Sequence, residues 1–217
     1  MKILVINPGS TSTKIAVYEN DTPRLVRNIR HTVDELSSFS HIIDQFEFRK
    51  NLVLKELEAD NIPFEFDAIV GRGGLLKPIP GGVYEVNDAM LDDILHAMRT
   101  HACNLGCLIA SELAALLPGC RAFIADPGVV DELDEIARIT GSPLMPRITI
   151  WHALNQRAIA RRYAAAQHVR YEDLDLIVCH LGGGISVGVH HHGKAVDVNN
   201  ALDGEGPFSP ERAGTLP

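Results

Sequence analysis

The sequence predicts an α/β protein built as two similar units. Short apolar, β-branched runs alternate with helical stretches along most of the chain. An apolar strand, a Gly/Ser turn and a second β-rich strand occur twice, around Asn7-x-Gly9-Ser10-Thr11-Ser12 and around His180-x-Gly182-Gly183-Gly184-x-Ser186. The composition, 46% hydrophobic and 22% charged over 217 residues, is that of a folded chain. At about 150 residues per domain, this length makes between one and two domains. We place the boundary so that 1–147 is a complete domain and 148–217 opens a second one of the same kind.

The elements follow in order. Lys2 to Asn7 reads as a strand, Pro8 to Ser12 as a turn-rich loop and Thr13 to Tyr18 as a second strand. Asn20 to Pro23 makes a turn before a third strand, Arg24 to Ile29. Ile42, Ile43, Phe46, Arg49, Val53 and Leu57 recur at helical spacing. Asp67 to Val70 is a short buried strand, and Gly71 to Gly82 is a Gly/Pro-rich loop. Asn87 caps a helix to about Arg99, and Asn104 caps another through Leu117, which Pro118-Gly119 stops. Arg121 to Ala125 is a strand ending at Asp126-Pro127. After Pro146 a helix runs from Ile150 to Ala166. Three further strands follow: Asp175 to Cys179, Ile185 to Val189 and Ala195 to Val198. These last strands have no helix after them, which predicts an open, aggregation-prone sheet.

Charge and cysteine usage narrow the function. Lys plus Arg is 20 against 28 for Asp plus Glu, a formal net charge of −8. Such a balance argues against broad binding to nucleic acid. Cys103, Cys107, Cys120 and Cys179 form no C-x-x-C pair and read as buried reduced thiols. The apolar run at the N-terminus is too short for a signal peptide. The longest uncharged stretch, about Leu176 to Val189, falls short of the roughly 20 residues of a membrane span. A soluble, cytoplasmic protein is the expectation.

Two loops carry the chemistry. Asn7 to Lys14 is a turn whose amides and hydroxyls suit a phosphate. Gly182, Gly183 and Gly184 let backbone approach a ligand where a Cβ would collide. Together they read as a two-sided phosphate clamp. Arg72 and Arg212 sit in loops with glycines, where guanidinium groups can hold carboxylate or phosphate bidentately. Asp126, at a strand end, could orient an arginine or a metal. His180 opens the glycine turn.

Three other patterns are rejected. Gly184-Ile185-Ser186-Val187-Gly188 matches a nucleophile elbow, but Ser186 lies in a strand and no histidine follows His192. Gly188 to Ala195 nearly matches a P-loop, yet it links two strands and ends in Ala. His190-His191-His192 point in different directions and read as a solvated hairpin tip.

With these residues in place, the sequence resembles the acetokinase family of the actin and sugar-kinase ATPase superfamily. The marks are Ile6 to Lys14, Val70-Gly71-Arg72-Gly73-Gly74-Leu75, Ala125-Asp126-Pro127, His180-Leu181-Gly182-Gly183-Gly184, and Asp203 to Thr215. The Gly71 to Gly74 form and Asp126-Pro127 resemble the butyrate branch rather than the acetate branch. The resemblance implies a ribonuclease-H-like, actin-like ATPase fold, one complete domain plus the start of a similar second.

It implies transfer of the ATP γ-phosphate to the carboxylate of a short-chain fatty acid, with Mg²⁺. Acetate, propionate and branched-chain acids are alternative acceptors, and a non-catalytic remnant is an alternative role. Asn7, Gly9, Ser10, Ser12 and Lys14 correspond to the first phosphate loop, and Gly182 to Gly184 to the second. Arg72, Asp126, His180 and Arg212 correspond to catalytic positions, with Asn7 and Asp126 near the metal. A homodimer or larger assembly is a family expectation. The family continues beyond this length to an adenosine pocket, so the chain is expected to be a fragment with little activity of its own.

Overall fold

The computed structural model describes residues 1–97, 99–203, 205–206, 209–210, 212 and 214. It divides into two compact units, Met1–Leu76 with Val83–Ala125, and Lys77–Gly82 with Asp126–Pro217. The change of sequence character after Pro146 falls inside the second unit. Hydrogen bonds from Asp131 N to Ile79 O (3.0 Å), Asp126 N to Gly82 O (2.8 Å) and Trp151 Nε1 to Val130 O (2.7 Å) tie the intervening chain there.

The first unit is a six-stranded sheet. Its strands are β1 (Lys2–Pro8), β2 (Ser12–Glu19), β3 (Thr22–Arg30), β4 (Ala68–Arg72), β5 (Val83–Glu85) and β6 (Arg121–Ala125). They lie in the order β3-β2-β1-β4-β6-β5. β1, β4 and β6 are parallel, while β2, β3 and β5 are joined antiparallel. Its helices are α1 (Val33–Ser37), α2 (Phe46–Ala59), α3 (Asp88–Leu95) and α4 (Asn104–Ala115). The core is Leu4 and Ile6 of β1, Ile15 and Val17 of β2 and Ile69 of β4. They pack against Val53 and Leu57 of α2 and Leu105, Ile109 and Leu113 of α4. Alternation along β1 and β2 puts these residues on one face, as a period of two requires.

α4 crosses β4 at two glycines. A Cβ on Gly71 would stand 2.1 Å from Gly106 O, and one on Gly106 would stand 2.5 Å from Arg72 O. The closest contacts there are backbone against backbone. Gly71→Ala must push the helix off the strand, and we expect a loss of about 1–3 kcal/mol in urea denaturation. A loss near zero would mean the crossing relaxes freely.

Three sequence expectations change in this unit. Val83–Glu85 is a strand, added antiparallel to β6 beyond the Gly/Pro loop. α3 is capped by Asn87 as expected but stops at Leu95, short of Arg99. Asn104 does not cap α4. Cys103 holds that place without a side-chain bond, and Asn104 Oδ1 instead accepts from Leu75 N at 2.9 Å.

The second unit has a three-stranded antiparallel sheet, β7 (Asp175–Leu181), β8 (Ile185–His191) and β9 (Lys194–Val198), and one long helix, α5 (Ala153–Ala166). α5 begins three residues after Ile150. Its Ala160 and Ala164 pack with Tyr171, Leu174, Leu176 and Val178 over one face of the sheet. The other face leaves Ile177 73% and Leu181 74% exposed, beside Cys179 and Val189. The sheet is therefore open on one side, while α5, earlier in the chain, covers the other.

The β8–β9 turn uses His192 (φ 47°) and Gly193 (φ 78°), the positive pair that a tight hairpin requires. His190 is not part of the solvated tip. It is wholly buried, with Nδ1 2.5 Å from Tyr171 Oη and Nε2 2.9 Å from Gln156 Oε1. Period two explains it, since Ser186, Gly188 and His190 all face inward while Val189 and His191 face out.

Candidate active site

In the first unit the loop between β1 and β2 closes on itself, with Gly9 N donating to Ser12 O at 2.7 Å. Asn7 and Lys14 are direct cross-strand partners. They lie on the sheet face opposite the core, since Ile6 and Ile15 beside them point inward. Val5 pairs with Val70 across β1 and β4, so Asn7 and Arg72, each two residues further on, share that face. Register thus gathers Asn7, Lys14 and Arg72 at the carboxyl ends of parallel strands. Open α/β sheets bind ligands at such ends. Ser10 Oγ reaches His101 Nε2 at 3.4 Å, a residue sequence reasoning passed over.

Cys103 and Cys107 lie under this end of the sheet. Burial pushes their thiols up to about 11 and about 12. They are inert at neutral pH, as buried structural thiols are. Cys120 is half-buried, and Cys179, facing out from β7, is exposed and departs from the expectation of four buried thiols.

In the second unit α5 organises the site. His152 stands just before its first residue, without a side-chain capping bond, and stacks on His180, with ring centroids 3.6 Å apart and planes 7° from parallel. His152 Nδ1 is 2.9 Å from Ser186 Oγ, and His180 Nδ1 is 2.7 Å from Asn155 Nδ2. An amide NH₂ can only donate, so this contact puts the proton of a neutral His180 on Nε2. Sequence reasoning missed His152. The sequence reading put it inside the helix from Ile150, and the stack is a tertiary contact.

The glycine turn is crowded from behind. A Cβ on Gly184 would stand 3.2 Å from Ala201 O and 3.3 Å from His152 Cε1. A Cβ on Gly182 would stand 3.2 Å from His180 Nε2. Ser209 Oγ donates to Gly183 O at 2.7 Å. Ser209 and Arg212 exchange backbone hydrogen bonds at 3.2 and 3.3 Å, so the turn carrying Arg212 is fastened to the glycine turn. Gly204, Pro207, Phe208, Glu211, Ala213 and Thr215 of the last motif lie outside the described residues.

Asp126 takes a positive φ of 37°, a conformation Asp tolerates better than most. Gly82 donates to its Oδ1 at 2.9 Å and Arg161 to its Oδ2 at 3.1 Å, while Arg157 Nε lies 3.0 Å from Oδ1. Both carboxylate oxygens are committed to cations or an amide. Ser186 is fully buried in β8 with its hydroxyl held by Gln156 Nε2 at 2.8 Å, which removes the nucleophile-elbow reading. Gly188 and Lys194 belong to the β8–β9 hairpin, which removes the P-loop reading. The described residues hold no cluster of three His, Cys, Asp or Glu fit for a metal, and no helix long and apolar enough to cross a membrane.

The buried His190 links this region to pH. Burial first, then the nearby Arg157 charge, pushes it down to about 4 from 6.5. Below pH 6.5 the unfolded chain gains a proton here that the folded chain refuses until about pH 4. Stability is therefore intact above 6.5 and falls by up to about 3 kcal/mol as pH drops to 4. His190→Gln should flatten that part of the stability–pH curve in urea titrations. Parallel curves for the two proteins would remove His190 as the cause.

No family model matches the sequence. The chain is 79% identical over 217 residues to a probable butyrate kinase of Bacteroides thetaiotaomicron, covering all of this chain and 62% of that protein. It is 56% identical over 218 residues to butyrate kinase 2 of Clostridium acetobutylicum, covering 61% of it. It resembles the N-terminal portion of the butyrate kinases. The chain spans about three fifths of the length of these curated relatives. Among solved structures, it superposes on Porphyromonas gingivalis acetate kinase with a TM-score of 0.65 at 19% identity, over 96% of this chain and 62% of that one. A propionate kinase from Francisella tularensis gives a TM-score of 0.63 at 15% identity, over the same shares. The fold is the actin-like ATPase fold of those kinases, of which this chain covers part.

Proposed function

We propose that the protein is a butyrate kinase: butanoate + ATP ⇌ butanoyl phosphate + ADP, by direct in-line transfer. The observation that carries this is the 79% identity over the entire chain, Arg72, Asp126, His180 and Arg212 included in the matched span. The acceptor acid has a pKa in the range of Asp or Glu and is ionised at neutral pH, so it needs no general base. Its carboxylate oxygen forms the new bond to the γ-phosphorus as the bond to the ADP oxygen breaks. The obstacle is one anion approaching another. Positioned cations and hydrogen-bond donors meet it by stabilising charge.

Arg72 takes the acid side, and Asn7, Ser10, Ser12 and Lys14 hold phosphate. The Gly182 to Gly184 amides and His180 Nε2–H donate to the transferring phosphoryl oxygens, and Arg212 stabilises them. His152 keeps the His180 ring in place by stacking and by its bond to Ser186. ATP would bring a divalent metal such as Mg²⁺. Asp126 would meet such a metal only through Oδ2, which already accepts from Arg161, because the Gly82 amide and Arg157 crowd Oδ1. Its role is to set those arginines.

The test is to trap acyl phosphate as hydroxamate, with ATP, Mg²⁺ and acids from acetate to butanoate and isobutanoate. The expected result is a maximum at the four-carbon acids in the full-length gene product. A maximum at acetate would overturn the substrate assignment.

A further inference from the structure

Arg49 of α2 is wholly buried. Every acceptor it meets is neutral. Nε and Nη2 donate to Gln45 Oε1 at 3.0 and 2.8 Å, and Nη1 donates to Ser12 O at 3.1 Å and Thr13 Oγ1 at 2.9 Å. Among the described residues no carboxylate pairs with it. Glu35, which acts on the neighbouring His31, is spent at the surface, where its Oε2 accepts from Thr32 N and Oγ1. Burial alone pulls the guanidinium down to about 10, which still leaves it charged at neutral pH. His31 shares Thr13 Oγ1 at 2.8 Å, and burial followed by the Arg49 charge holds its pKa below the ordinary value. Among the described residues, Arg49 therefore brings a positive charge into the cluster with no carboxylate hydrogen-bonded to it.

A buried cation without a counter-charge is costly, and an apolar side chain would fill the volume more cheaply. What this cation holds is informative. Ser12 O also accepts the Gly9 N bond that closes the loop. The charge is attached to the floor of the 9–12 loop, in a low-dielectric setting where its field is weakly screened. We propose that Arg49 is a positioning residue for this loop, and that its charge is balanced only when a polyphosphate occupies the loop. The inference rests on reading residues 7–14 as a phosphate loop.

Inorganic tripolyphosphate is the probe, titrated into the 217-residue chain by calorimetry and by amide NMR. The Gly9 to Ser12 amides should shift on binding. Amides that do not move would overturn the loop reading and this inference with it. Arg49→Met keeps the volume and removes the charge. It should melt no lower than the parent without ligand, yet bind tripolyphosphate about tenfold or more weakly. Arg49→Lys should recover most of the affinity, which a merely structural role would not predict. Shifted amides with parental affinity in folded R49M would overturn the inference and leave the loop reading standing. Should R49M not fold, the guanidinium carbon resonance of Arg49 in the parent decides. It should move when tripolyphosphate is added, and a fixed resonance would refute the proposal.

Discussion

Replacing Arg72 or Arg212 by alanine in the full-length gene product is expected to lower acyl-phosphate formation roughly 10³-fold or more. Each position has a separate structural warrant. Arg72 ends β4 on the same sheet face as Asn7 and Lys14. Arg212 sits in a turn held to the glycine turn by Ser209 Oγ and Gly183 O at 2.7 Å. In both places a planar fork can meet a carboxylate or phosphoryl group bidentately, which a lysine cannot reproduce. Arg→Lys at either site should therefore restore charge but only part of the rate. The loss should fall mainly on kcat, since charge that builds in the transition state is what these groups answer. The measurement is hydroxamate trapping under saturating ATP and acid. A loss below tenfold in both alanine variants would sink the assignment.

How much of this was legible before the structure depends on the range of the interaction. β1, β2, β4, β6 and the three strands of the second unit follow from apolar runs and turn residues, because local pattern decides them. Val83–Glu85 escaped because three residues cannot show a period. Asn104 looked like a cap because Asn favours that place, but a distant amide, Leu75 N, claimed its oxygen. The site divides the same way. The glycine turn, His180 and the two arginines announce themselves as loop chemistry. His152 does not, since its partner in the stack lies on β7, 28 residues along the chain. The histidine run misled for a simpler reason: alternation sends His190 inward and leaves His191 and His192 outside. Arg49 read as one more residue on a helical stripe, and only the lack of a carboxylate partner among the described residues makes it notable.

The largest stability effect should come from Arg157→Met. Arg157 is 6% exposed and lies between Asp126 and Glu132, whose side chains are 4% and 8% exposed. Its Nε is 3.0 Å from Asp126 and its Nη1 2.8 Å from Glu132 Oε2. Glu132 also accepts from Gly81 N at 2.9 Å and Ala195 N at 3.1 Å, so one guanidinium joins α5, β9, the 77–82 loop and Asp126. A Cβ on Gly81 would stand 2.5 Å from Arg157 Cζ, so the packing leaves no slack. Removing the cation strands Glu132 as a buried charge with only two amides and leaves Asp126 to Arg161. Breaking a buried pair from one side costs about 3–5 kcal/mol, and that loss is expected in urea denaturation. Arg157→Met combined with Glu132→Gln removes the stranded charge and should recover a good part of it. A loss below about 1 kcal/mol in the single variant would show that water or neighbouring groups compensate. If the double variant regains stability but the kinase reaction stays slow, the network's cost is borne for the placement of Asp126 rather than for the fold. A buried ion pair, weak evidence for stability in general, would then be explained by the site it orients.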